Sequence, residues 1–147
     1  MKILLAIDDS KFSEAAAQTV VVQGRLHDTE VRVLHVVEPP TLLVAREMGG
    51  YDSALEAVWE TESKQAEALV AHTAEVLRAK GLKVTTAVGQ GDPKSKIIDE
   101  AEKWKADLIV LGSHGRNALD RFLMGSVSEA VARHASCSVE IVRIPKG

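Results

Sequence analysis

The sequence predicts a doubly wound α/β fold, in which helices cover both faces of a five-stranded parallel sheet in the order 3-2-1-4-5. Two observations lead to this prediction. Short, uninterrupted apolar runs such as Ile3–Ile7 are typical of parallel strands that are buried on both faces. Between successive runs lie segments with apolar residues at steps of three and four, which indicate amphipathic helices.

The five predicted strands are Ile3–Ile7, Val31–Val37, Lys83–Val88, Asp107–Leu111 and Val139–Ile144. The first helix is expected to begin at Ser10 or Ser13, since either side chain can cap it. A long helix is expected over Ser53–Lys80, with Gly81 as the residue that ends it.

The next helix has a clear start, because Asp92 can act as its N-cap and Pro93 suits the first helical position. A short last helix is expected over Val127–His134. Trp59, Trp104 and His134 fall on apolar helical faces, and we therefore expect all three side chains in the core.

Length and composition favour one domain spanning residues 1–147, with an ordinary globular content of 46% hydrophobic and 27% charged residues. The net charge is -3 and no basic run is present, so nucleic acid is not an expected partner. No apolar run approaches the roughly 20 residues of a membrane span. Cys137 is the single cysteine, which fits a reducing compartment, and we expect a cytoplasmic protein.

The most informative motif lies between Gly112 and Ser126, where Gly-x-x-Gly is followed by nine further residues and then Gly-Ser. An apolar strand enters this loop and a helix leaves it. Glycines let backbone N–H groups approach a ligand closely, and the first turn of a helix presents unpaired N–H donors. The motif therefore predicts an anion site, with a nucleotide phosphate as the expected ligand.

The predicted topology indicates the same location for the ligand site. Ligands of open α/β sheets bind beyond the carboxyl ends of the strands, where the strand order reverses. In the order 3-2-1-4-5 this reversal falls between strand 1, which ends at Ile7-Asp8, and strand 4, which ends at Leu111-Gly112.

Over essentially its whole length the chain resembles the universal stress protein family. The resemblance is carried by the glycine spacing, by Val110-Leu111-Gly112-Ser113-His114-Gly115-Arg116, by Gly91-Asp92-Pro93 and by Ala6-Ile7-Asp8-Asp9-Ser10. In that family the glycine pattern accompanies ATP binding. The resemblance thus implies an ATP-binding stress-response protein that dimerises through its last strand.

The resemblance also implies which residues bind the nucleotide. Asp8 and Val36 would lie near the adenosine, with Ala6 beside them on the first strand. The residues implied along the ribose and phosphates are Gly112, His114, Gly115, Arg116 and Asn117. Those implied to hold the phosphates at the helix start are Gly125, Ser126, Val127 and Ser128.

The chemistry of these residue types agrees with such roles. The Asp8 carboxylate can accept hydrogen bonds from ribose hydroxyls or an adenine amine, and Arg116 can form a forked contact with phosphate oxygens. Ser126 and Ser128 offer hydroxyls beside the free N–H groups of a helix start.

Structural alternatives remain open for several of these residues. Asp8 could instead cap the following turn, and Arg116 could pair with a carboxylate. His114 could bond either a ligand or the backbone. The glycines could serve only a turn with positive φ.

Other site classes do not match. A Walker A loop requires Gly-Lys followed by Ser or Thr, which is absent, and the spacing around Ser113 is not that of a nucleophile elbow. Asp8-Asp9 is similar to the acidic pair of response regulators, but strand 3 ends in Val88-Gly89 and not in a phospho-accepting Asp. We predict no catalytic residue and no structural metal site, and we expect Mg²⁺ to accompany ATP.

Two hypotheses of different classes follow. The first is a nucleotide-dependent regulator with slow or no ATP hydrolysis, and the second is a homodimeric interaction module that binds no nucleotide. Thr41–Gly50 could be a flap over the adenosine or a packed surface loop. Ser138 and Glu140 depart from the usual family ending, and Glu140 could oppose unwanted edge pairing or weaken the dimer.

Overall fold

A computed structural model describes residues 1–24, 28–39, 53–114 and 124–144. The strands in these ranges are β1 (Lys2–Ala6), β2 (Glu30–Val37), β3 (Lys83–Gln90), β4 (Leu108–Gly112) and β5 (Ser138–Val142). The helices are α1 (Lys11–Gly24), α2 (Ser53–Ala79), α3 (Pro93–Trp104) and α4 (Ser126–His134). All predicted elements are present, and their ends differ from the prediction by one or two residues.

The five strands form one parallel sheet in the order β3-β2-β1-β4-β5, which confirms the predicted topology. In the centre of the sheet, Ile3 of β1 pairs with Val31 of β2 on one side and with Leu108 of β4 on the other. The reversal of strand order therefore lies between β1 and β4, where the carboxyl ends of both strands face the same edge.

The two faces of the sheet carry separate cores. Ile3 and Leu5 pack with residues of α1 and α2, including Val20 and Leu77. On the other face, the core includes Leu4, Leu34, Val36, Ile109 and Leu111 of the sheet together with Ile97, Trp104 and Val131 of α3 and α4. Because β1 is covered on both sides, its residues must be apolar without alternation, as the sequence indicates.

Local signals fix the helix ends. The Ser10 hydroxyl accepts a hydrogen bond of 3.3 Å from the Ser13 amide, so Ser10, and not Ser13, is the cap of α1. Asp92 caps α3 by accepting from the Lys94 amide, and Pro93 follows it at the first helical position. Gly81 ends the long helix α2 with a φ of +90°, a conformation that residues with a Cβ rarely adopt.

Two core predictions need correction. His134 is exposed, because it lies in the last turn of α4, where a basic side chain in solvent is favoured by the helix dipole. Trp59 is only half-buried, although Trp104 is 9% exposed as predicted. The ring of Trp104 is also covered by cations, with Arg32 Cζ 4.8 Å and Lys2 Nζ 5.3 Å from its centroid.

Within the described ranges, no helix combines the length and the apolar character that a membrane crossing requires. Thr41–Gly50, for which a flap and a packed surface loop were the two alternatives, lies outside the described residues.

Candidate functional site

A cavity of about 1200 Å³ opens at the carboxyl ends of β1, β2 and β4. It lies where the strand order reverses, the position expected for the ligand of an open α/β sheet. Every predicted site residue that the structure describes lines it: Ala6, Asp8, Val36, Gly112, His114, Gly125, Ser126, Val127 and Ser128. Gly115, Arg116 and Asn117 lie outside the described residues.

The Asp8 carboxylate is held by the start of α1. Its Oδ1 atom accepts from the Ser10 amide and from the Ser13 hydroxyl, each at 2.9 Å. The Ser13 oxygen in turn accepts from the Asp8 amide at 2.8 Å. Asp8 therefore does cap the following turn, but through Oδ1 only, and the second oxygen, Oδ2, accepts none of these hydrogen bonds. One carboxylate can serve both the turn and a ligand.

The first turn of α4 supplies unpaired amide groups to the cavity. Gly125 is the N-cap and has no side chain that could cap the helix. The first main-chain bond of α4 runs from the Glu129 amide to the Gly125 oxygen at 3.0 Å. The amides of Ser126, Val127 and Ser128 precede this bond, so the helix has no acceptor for them. Together with the helix dipole they form a suitable anion site.

Ser113 ties this helix start to the sheet. Its amide donates to the Val142 oxygen of β5 at 2.9 Å, and its own oxygen accepts from the Gly125 amide at 2.8 Å. The Ser128 hydroxyl also donates to the Ser113 oxygen, at 2.8 Å, and Ser128 is 2% exposed. The Ser128 hydroxyl is therefore engaged within the protein, whereas Ser126 is exposed at the cavity.

The glycines of the loop are required by close packing. A Cβ on Gly112 would lie 2.6 Å from Phe12 Cβ and 2.9 Å from the Phe12 carbonyl carbon. A Cβ on Gly125 would lie 3.1 Å from the Ser113 oxygen. Gly125 has a φ of -64°, and Gly112 is not among the residues with positive φ. The alternative that these two glycines serve a positive-φ turn is therefore wrong, and their requirement is steric.

His114 has a defined environment beside the loop. Its Nδ1 atom lies 3.0 Å from the Ser113 hydroxyl oxygen. Its ring packs against the Phe12 ring at a centroid distance of 5.1 Å and an interplanar angle of 47°. Phe12 thus packs against both the end of β4 and the imidazole that lines the cavity.

The described lining of the cavity carries more negative than positive side chains. Among the described lining residues, carboxylates are contributed by Asp8, Asp9, Glu38 and Glu62, whereas Lys and Arg contribute none. Within this part of the chain, the groups suited to an anion are therefore the amides and hydroxyl at the start of α4 and the imidazole of His114. A bound polyanion would need a further positive charge, from a metal ion or from a residue outside the described ranges.

Helix α2 also contributes to the cavity, which was not predicted from the sequence. Glu62, Gln65, Leu69 and His72 line it, at steps of three and four along one side of the helix. The polar residues among them share one side of the helix, and their spacing is visible in the sequence. His35 of β2 also lines the cavity, and its Nδ1 lies 2.7 Å from the Ile7 oxygen.

No three or more His, Cys, Asp and Glu side chains are grouped to hold a metal ion in the described part of the chain. Ser13 and Ser113, which hold Asp8 and the start of α4, are further residues of the site that were not predicted as such. Ser13 is close to Asp8 in the chain and was expected only as a possible helix cap, whereas Ser113 contacts residues on the far side of the loop, which only the fold reveals.

Comparisons with known proteins agree with this fold. The family model described as "Universal stress protein family" matches residues 1–143. A universal stress protein of Methanocaldococcus jannaschii, MJ0531, is 35% identical over 145 residues, which cover 99% of this chain and 83% of that protein. Among solved structures, UspA from Lactobacillus plantarum has a TM-score of 0.83 at 27% identity, with 97% of each chain covered.

Two more distant structures of the same fold were determined with adenine nucleotides. A universal stress protein from Archaeoglobus fulgidus in complex with dAMP has a TM-score of 0.68 at 23% identity, and covers 97% of this chain and 98% of that one. Another, in complex with cAMP, has a TM-score of 0.67 at 19% identity, with 97% and 96% covered. With the family model spanning nearly the whole sequence and a relative above 30% identity, the chain belongs to the universal stress protein family.

Proposed function

We propose that this protein binds ATP in the cavity and acts as a nucleotide-dependent regulator in the stress response, with slow or no hydrolysis. The observation that carries the proposal is the start of α4, where three amides without a helical acceptor meet the exposed Ser126 at the edge of a cavity large enough for a nucleotide. Such a helix start binds phosphate through its N–H groups and its dipole.

The nucleoside would lie on the other side of the cavity. Val36 is 8% exposed and Ala6 is 7% exposed, and both offer apolar surface to a base. Asp8 Oδ2 offers an acceptor for a ribose hydroxyl or an adenine amine. The relatives solved with dAMP and cAMP share the fold, and their ligands are consistent with an adenine nucleotide here.

Mg²⁺ fits this chain because the described lining carries four carboxylates and neither Lys nor Arg. A free triphosphate would be repelled by Asp8, Asp9, Glu38 and Glu62. A Mg²⁺ ion held by the triphosphate and water would lower that repulsion. We therefore expect MgATP to bind more tightly than ATP in the presence of a chelator.

The described residues offer no clear general base or transition-state clamp beside the start of α4. Phosphoryl transfer depends on the positioning of the nucleophile and on neutralisation of charge at the phosphates. Binding is therefore the proposed activity. A multiple-turnover rate of ATP hydrolysis well above that of a loop variant would overturn this part of the proposal.

The experiment is a calorimetric titration of the ligand-stripped protein with MgATP, using Ser126→Asp and Ser136→Asp as a matched pair. An acidic side chain in the first turn is compatible with α4, but it would repel phosphate, so Ser126→Asp is expected to weaken binding more than tenfold. Ser136 is exposed and does not line the cavity, so Ser136→Asp is expected to bind as the wild type does. Thermal denaturation checks that both variants are folded.

The possible results separate the two hypotheses stated above. Saturable binding that Ser126→Asp loses supports the nucleotide-dependent regulator. Equal binding by both variants would place the phosphates elsewhere. Absence of binding by the folded wild type would overturn the proposal and favour an interaction module.

A further inference from the structure

The cavity extends over both sides of the sheet edge. Leu34, Val36 and Ile97 line it from the core beneath α3 and α4. Ile7 and Leu69 line it from the core beneath α1 and α2, and Ala66 of α2 lines it as well. The proposed phosphate site at the start of α4 lies on the first side. No part of the nucleotide has been placed on the second side.

We name this second side the α2 lobe and define it by His35, Glu62, Gln65, Leu69 and His72. The cavity as a whole measures about 1200 Å³, whereas ligand sites typically measure about 300–1000 Å³. The lining therefore provides room and surface for more than one ligand group.

The lobe adjoins the proposed nucleoside position. The Ile7 amide donates to the Leu34 oxygen at 2.9 Å, and the Ile7 oxygen lies 2.7 Å from His35 Nδ1. Both main-chain groups of Ile7 are thus bound to β2, immediately before Asp8. A group that extends from a nucleoside at Asp8 towards α2 reaches this lobe, whereas a group on the terminal phosphate lies at α4.

The side chains of the α2 lobe determine which chemical group of a ligand it can bind. Because a carbonyl oxygen can only accept, His35 Nδ1 must carry the proton in its contact with Ile7, and Nε2 is the ring nitrogen left for a ligand. Glu62 adds a carboxylate, and Leu69 with Ala66 adds apolar surface. The lobe is therefore suited to a group with an apolar body and a hydrogen-bond donor.

We propose that the α2 lobe is a second subsite, and that the ligands of this protein include adenine nucleotides extended at the base or the ribose by a donor-bearing group. This inference rests on the proposed nucleotide site. The proposed ligand class is wider than ATP, because the group added to the base or the ribose would occupy the α2 lobe, which ATP itself does not fill.

The test compares MgATP with two extended nucleotides, N6-(6-aminohexyl)-ATP and 2′/3′-O-(2-aminoethylcarbamoyl)-ATP, by calorimetry. Gln65→Trp places a large ring in the lobe from an exposed position of α2. Ala71→Trp is the matched control, because Ala71 is exposed on the same helix and does not line the cavity. Glu62→Gln keeps the shape of the lobe and removes its carboxylate.

We expect the wild type to bind at least one extended nucleotide as tightly as ATP or more tightly. Gln65→Trp should then weaken that nucleotide more than tenfold and change ATP affinity less than twofold, whereas Ala71→Trp should change neither. Glu62→Gln should weaken the extended nucleotide about fivefold relative to MgATP, whose own affinity should stay equal or rise because one lining carboxylate is removed.

Two results would overturn the inference while the proposed function stands. In the first, ATP binds and both extended nucleotides bind more than tenfold more weakly, because the lobe has no room for them. In the second, the extended nucleotides bind but Gln65→Trp has no selective effect, because their arms lie in solvent. Failure of all three nucleotides to bind would overturn the inference and the proposed function together.

Discussion

The hydroxyl of Ser128 lies 2.8 Å from the main-chain oxygen of Ser113, and this buried contact joins the first turn of α4 to the residue that follows β4. The same oxygen accepts from the Gly125 amide. The phosphate-binding geometry proposed above thus depends on a residue pair 15 positions apart, one of which also donates to β5.

The two serines of this helix start are predicted to have different roles. Ser128→Ala removes the buried hydrogen bond and should cost about 1 kcal/mol of unfolding free energy, equivalent to roughly 2–4 °C in Tm. Ser126→Ala should leave Tm unchanged, because Ser126 is exposed, and should weaken ATP binding. Thermal denaturation and calorimetry of both variants test this, and a larger loss of Tm for Ser126→Ala would contradict it.

Gly112 is predicted to matter more for the stability of the fold than for nucleotide binding. A Cβ there would meet the backbone and Cβ of Phe12 at 2.6–3.0 Å, so Gly112→Ala should cost about 1–3 kcal/mol by overpacking. Gly89→Ala is the control, because its Cβ would meet only Val36 Cγ2, at an ordinary 3.7 Å. Urea unfolding of both variants provides the measurement, and equal stability would show that α1 adjusts freely to the added methyl group.

The homodimer that the family resemblance implies is predicted to depend on the free edge of β5. The Val142 oxygen accepts from Ser113, so the main-chain groups of Val142 face β4 and those of Ile141 face the free edge. Ile141→Pro should therefore remove an edge donor without breaking the sheet, and should yield a monomer in sedimentation experiments with ATP affinity retained. A wild type that is monomeric at micromolar concentration would count against the dimer.

Glu140 is not expected to oppose this pairing strongly. Gln23 Nε2 of α1 donates to both of its carboxylate oxygens, at 2.9 and 2.7 Å. The carboxylate is therefore held against the protein's own helix. Glu140→Gln should leave the sedimentation coefficient unchanged, whereas tighter association in the variant would show that the carboxylate weakens the dimer.

Cys137 is predicted to react slowly. Burial raises the pKa of its thiol above the ordinary value of 9.0, and the Asp107 carboxylate raises it as well. Because a raised acid pKa favours the protonated form in the folded state, its contribution to stability is present at neutral pH and is lost as pH rises above 9. Alkylation by iodoacetamide should be slower than for a free cysteine, should rise about tenfold per pH unit as the thiolate fraction grows, and should level off only above pH 9. A rate that reaches its plateau below pH 9 would contradict this.

The sequence by itself determined the order of the elements and the place of the cavity. The uninterrupted apolar run of β1, the capping pair Asp92 and Pro93, and the glycine loop after β4 are local signals that act within a few residues. The carboxyl ends of parallel strands lie at one edge of the sheet, so these signals also located the cavity between β1 and β4.

Only the tertiary structure decided how individual side chains are used. Gly112 is required because Phe12 packs on it, and the Ser128 hydroxyl is turned to Ser113 instead of the cavity. The α2 stripe of Glu62 and His72 lines the cavity because helix packing over β2 and β3 places it there. His134 lies in solvent although the helical repeat of α4 places it on the same face as apolar residues. The physical reason is common to all four: periodicity defines which residues share a face, whereas packing between distant segments decides what that face contacts.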